Sequence, residues 1–70
     1  MIKETYMIES LTRDLVTRLI EEQGLTMREA FDRFYRSRTY SALSNIESGL
    51  YFQSANYLYD EFIHEQGGHF

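Results

Sequence analysis

The chain has 70 residues, a formal net charge of −4, and neither Cys nor Pro nor Trp. That is one small domain, burying only about 60% of the surface its unfolded chain exposes. Disulfides and thiolate metal sites are excluded, so cohesion has to come from packing, to which 6 Tyr and 5 Phe contribute, or from self-association into a homodimer or larger oligomer.

Met1-Ile2-Lys3-Glu4-Thr5-Tyr6 opens the chain without a basic lead-in to an apolar run. No signal peptide or membrane span is expected, and a soluble, cytoplasmic protein is. The first helix is predicted from Glu4 to Gln23. Ile8, Leu11, Leu15 and Leu19 share one face, widened by Val16 and Ile20. Glu9 before Arg13 and Asp14 before Arg18 are acid-first pairs one turn apart, worth about 0.2–0.5 kcal/mol each. Gly24 can take the left-handed conformation that ends a helix. Ser10 is an alternative N-cap that would leave residues 1–9 as a separate arm.

Thr26-Met27-Arg28-Glu29 is a capping box and opens a second helix. Leu25 can staple against Ala30. Met27, Ala30, Phe31, Phe34 and Tyr35 form its apolar stripe, and Glu29–Arg33 and Asp32–Arg36 repeat the acid-first spacing. Ser37 can cap a short third helix over Arg38–Asn45 that buries Tyr40 and Leu43. Asn45, Ser48 and Gly49 mark a turn. Leu50-Tyr51-Phe52 is either a brief extended segment or the lead into a last helix. That helix is capped by Ser54 and runs to about Gln66, with Ala55, Leu58, Tyr59 and Phe62 on one side. Gly67 and Gly68 stop it, and residues 66–70 are expected to be a flexible tail. The fold class is all-α: a compact bundle of three or four short helices, one domain over 1–70.

Phe34-Tyr35-x-Ser37, Tyr40, Leu43 and Gly49-Leu50-Tyr51-x-Gln53-Ser54-x-x-Tyr57-x-Tyr59 resemble a family of very short bacterial proteins known only as a domain of unknown function. The resemblance spans nearly the whole chain. It implies a small helical fold and gene neighbourhoods that contain toxin-like ADP-ribosyltransferase proteins. It brings no catalytic residue, and it implies a partner-binding accessory, an antitoxin or an adaptor.

Tyr51, Phe52, Tyr57 and Tyr59 are the candidate contact residues, with Arg36 and Arg38 at their rim. Tyr is enriched at interfaces because it is large, rigid and amphipathic, though the same rings can simply complete a small core. Arg28, Arg33, Arg36 and Arg38 fall within 26–38, and no Lys or Arg follows. Residues 26–46 have the outline of a helix-turn-helix, with Arg38, Thr39, Ser41 and Ser44 on the second helix. Ile46-Glu47-Ser48-Gly49 echoes a repressor-like ending, but two residues late, and Tyr35 replaces the usual turn glycine. An acidic chain with so few phosphate contacts is poorly suited to a polyanion, so the arginines read mainly as a solvated face. Asp60 and His64, with Glu61 and Glu65 nearby, share a helix face. Two ligands on one helix fall short of a closed metal site, and His69 lies beyond two glycines. No nucleophile–base arrangement or phosphate-cradling loop is present, and so short a chain has little bulk to enclose a pocket. A non-enzymatic interaction module without a cofactor is therefore expected.

Overall fold

The computed structural model describes residues 3–67, which form four α-helices and two single 3-10 turns with no strand among them. Helix α1 spans Lys3–Gln23, α2 Met27–Tyr35, α3 Arg38–Ser44 and α4 Ala55–Glu65. The 21 residues of α1, at about 1.5 Å each, account for the 32 Å long axis of the molecule.

Helix α1 runs through Ser10 unbroken, so the separate arm does not exist. Its stripe buries Leu15, Val16 and Leu19. Thr12 lies in the same stripe and satisfies its hydroxyl by donating to the Ile8 carbonyl at 2.8 Å. The helix stops where predicted. Gly24 has φ +71°, and its N–H returns to the Ile20 carbonyl at 3.2 Å.

The capping box of α2 is closed in both directions. The Glu29 N–H donates to Thr26 Oγ1 at 3.1 Å, and the Thr26 N–H donates to Glu29 Oε1 at 2.9 Å. Hydrogen bonding to the carboxyl from the Thr26 backbone N–H and then from its hydroxyl, with the charge of Arg33 adding to them, lowers the pKa of Glu29. Ser37 joins α2 to α3 with one buried hydroxyl. Its Oγ donates to the Phe34 carbonyl at 2.6 Å and accepts from the Tyr40 N–H at 3.0 Å. The same side chain thus closes one helix and opens the next.

Leu50–Phe52 is neither extended nor part of α4. It is a 3-10 turn, preceded by another at Ile46–Ser48, and the two meet at Gly49, whose φ of +73° lets the chain reverse there. Ser54 then caps α4 by accepting from the Tyr57 N–H at 3.1 Å. Gln66 is the C-cap of α4 and Gly67 follows at φ +81°, so both belong to the helix stop. The rest of the expected tail, residues 68–70, lies outside the described residues.

The core is shared by every helix. Leu15 and Leu19 meet Ala30 and Phe34 of α2, Leu43 of α3, and Leu58 and Phe62 of α4. Phe34 and Phe62 stand edge to face at 5.7 Å between ring centres, a favoured aromatic geometry. No buried side-chain nitrogen or oxygen among the described residues lacks a hydrogen-bond partner.

Two expected ion pairs on α1 do not form. Arg18 turns away from Asp14 and binds Glu22 at 2.7 Å, while Glu9 and Arg13 are in no ion pair among the described residues. The cause is tertiary. Arg18 Nη1 donates to Asn56 Oδ1 of α4 at 2.6 Å, and its guanidinium lies 4.2 Å from the centre of the Tyr59 ring. Four residues on, a helix has turned by about 40°. That carries Glu22 toward the α4 side of Arg18 and Asp14 toward solvent.

Candidate functional site

The four expected contact aromatics separate into two pairs. Tyr51 and Tyr59 are only 7% and 4% exposed and belong to the core. The Tyr59 hydroxyl at the edge of that core accepts from Gln23 Nε2 at 3.3 Å. Phe52 and Tyr57 point outward, 71% and 46% exposed. They flank the corner at Gln53 and Ser54 where the second 3-10 turn becomes α4. Tyr51 supports this corner from beneath, its ring centre 4.4 Å from that of Phe52.

The two arginines are exposed but stand elsewhere. Arg36 pairs with Asp32 at 3.1 Å on α2. Arg38 approaches Glu65, at the far end of α4, at 4.0 Å. Eight residues of helix separate Tyr57 from Glu65, roughly 12 Å at 1.5 Å per residue. Arg36 therefore stands apart from the Phe52–Tyr57 face, whereas Arg38 shares an open groove with Leu50 and Glu61 on one side of it. Asp60 and Glu61 lie three and four residues beyond Tyr57 on α4, where side chains neighbour one another, and each shares a groove with an arginine, Arg18 and Arg38 respectively. Ile46, 44% exposed, and Glu47 lie on the preceding turn.

Glu65 has a role that the sequence did not disclose. Its position suggested an open acidic face. In the fold it docks on the first turn of α3, accepting from the Arg38 N–H at 2.8 Å, the Thr39 N–H at 2.9 Å and Thr39 Oγ1 at 2.7 Å. Burial alone would raise its pKa. The hydrogen bonds from Arg38 and Thr39, together with the Arg38 charge, outweigh that and hold the carboxyl below its ordinary value. The result bears on the helix-turn-helix outline. Thr39 is buried rather than presented, α3 has only 7 residues, and a carboxylate occupies the end of α3 that would have to reach base edges in the major groove.

A second aromatic surface lies across the molecule, between α1 and the α2–α3 corner. Ile8, Glu9, Arg13, Phe31, Tyr35 and Tyr40 line an open groove there. Its floor is a chain of rings. Tyr35 is 5.5 Å from Phe31 and 4.9 Å from Tyr40, and Tyr40 is 5.3 Å from the buried Phe34. The sequence carried a signal for this groove in the i, i+4 spacing of Phe31 and Tyr35. That spacing reads equally well as core, so by itself it does not separate a buried stripe from the floor of a groove.

Arg18, Glu22, Asp60 and His64 share another shallow groove, between α1 and α4. The hydrogen bond to Glu22 is the main cause that raises the Arg18 pKa, keeping this group cationic. Among the described residues no three His, Cys, Asp or Glu side chains gather as they would around a metal ion. No helix among them is long and apolar enough to cross a membrane. No protein-family model, curated protein or solved structure matches the chain.

Proposed function

We propose that the chain is a non-enzymatic interaction module that docks on another protein through Phe52 and Tyr57. The observation that carries this reading is the pair of outward rings at the α4 corner, in a fold that buries Tyr51 and Tyr59 beside them. Large rings that reach water lose little on desolvation and bring most of the binding energy where they fill a partner's pockets. Glu47, Asp60 and Glu61 lie near these rings with Arg18 and Arg38 beside the last two, so a partner surface of mixed charge is favoured. The resemblance noted above suggests a toxin-like enzyme encoded nearby as that partner, with this chain as its antitoxin or adaptor. A cytoplasmic setting belongs to the same reading.

The test is co-expression with the product of the adjacent gene. The two should co-purify, and the Phe52→Ala/Tyr57→Ala double variant should recover about tenfold less partner, a hot-spot loss, with its own melting temperature kept. A double variant that recovers as much partner as the parent would refute the assigned face. The alternative, a DNA-binding regulator using residues 26–46, predicts salt-sensitive duplex binding weakened by Arg38→Ala. It is the weaker reading, because Glu65 occupies the first turn of α3.

A further inference from the structure

We infer that the groove between α1 and the α2–α3 corner seats a second copy of this chain, with the two α1 helices antiparallel across a two-fold axis. This goes beyond the Phe52–Tyr57 face and does not depend on it.

Charge and placement favour that occupant. Glu9 and Arg13 stand one turn apart on the same rim, and neither is in an ion pair among the described residues. A partner of a single charge sign would satisfy one and repel the other. An antiparallel copy of the same helix brings Arg13 to Glu9 and Glu9 to Arg13 in one operation, which is what an isologous interface requires. The apolar part also fits. Tyr6, 65% exposed, lies on the flank of α1 that carries Glu9 and Arg13, three and seven residues before them. Tyr35, 49% exposed, faces the same groove from α2. A stable interface at the lower end of the usual range buries about 600 Å² on each partner. Without disulfides, a chain this short gains from such cover.

Sedimentation equilibrium of the full chain at low salt, from about 10 µM to about 1 mM, tests the inference. The mass should rise from 8.4 kDa toward twice that value. Glu9→Arg should weaken association about tenfold or more, because it sets like charges face to face twice, and Arg13→Glu should do the same. Combining the two substitutions in one chain restores complementarity and should restore the parent dissociation constant. Both positions are exposed, and far-UV circular dichroism checks that each variant keeps its helices. A single-chain mass across the whole range overturns the inference. So does a dimer whose dissociation constant ignores the two single reversals, or one lost on Phe52→Ala, which would place the contact on the other face.

Discussion

Glu65 shows how much one side chain can carry in a molecule this size. Its carboxylate takes three hydrogen bonds from α3, two of them from N–H groups that a helix start otherwise leaves without a partner. Because its pKa is lower folded than unfolded, the unfolded chain takes up the proton first as the solution is acidified. The stability it contributes is therefore complete above the ordinary carboxyl value of 4.5 and disappears as pH falls through the folded value. Glu29 shifts in the same direction and adds to the same acid limb. Glu65→Gln should cost about 1.5–3 kcal/mol near neutrality, the scale of hydrogen bonds to a charged acceptor. It should also flatten the loss of stability below pH 4.5, as read by urea denaturation across a pH series. A variant with the parent's acid limb would show that the latch contributes nothing. Residue-scale partnerships of this kind were not legible in the sequence. Glu65 lies 26 positions from Thr39, and Arg18 chose Glu22 over Asp14 because of Asn56 and Tyr59, 38 and 41 positions on. Nothing local encodes which helices will face each other.

The elements, by contrast, were largely written in their own residues. The stripe of α1, the capping box at Thr26, the caps at Ser37 and Ser54 and the stop at Gly24 all act within a turn or two, and all formed as expected. The segment from Ile46 to Phe52 was harder to read. A three-residue turn is too short to show a period, so neighbouring Tyr51 and Phe52 gave no hint that one would be buried and the other exposed. For the same reason the candidate site was only half legible: its aromatic character was visible, its division into core and surface was not. Ser37 gives the sharpest test at this scale. Its hydroxyl serves two helices and is buried, so Ser37→Ala removes a cap and strands the Tyr40 N–H. The expected cost is about 1–2 kcal/mol, measured by thermal or urea unfolding. Ser37→Thr, which keeps the hydroxyl, should lose less.

For the molecule as a whole, the margin is thin. At about 0.05–0.15 kcal/mol per residue, a chain of 70 residues is held together by roughly 4–10 kcal/mol. Phe34 is fully buried where all four helices converge and touches Phe62 and Tyr40 ring to ring. Phe34→Ala should cost about 3–5 kcal/mol, a large share of that total. Such a chain should be substantially unfolded at 37 °C by circular dichroism, and a cooperative melt close to the parent's would count against Phe34 as the centre of packing. Surface changes at Glu9, Arg13 or Tyr57 touch none of this, and Phe52 meets the core only through the Tyr51 ring, so losses of binding there can be separated from losses of fold by the melting temperature of each variant.

The reach of Glu65 back to α3 carries a practical consequence for handling the protein. A protease that cuts on the amino side of Glu65 would remove the carboxylate and leave the Arg38 and Thr39 N–H groups of α3 without their acceptor, with Ser37 as the remaining cap. Damage at one end would then register in the middle.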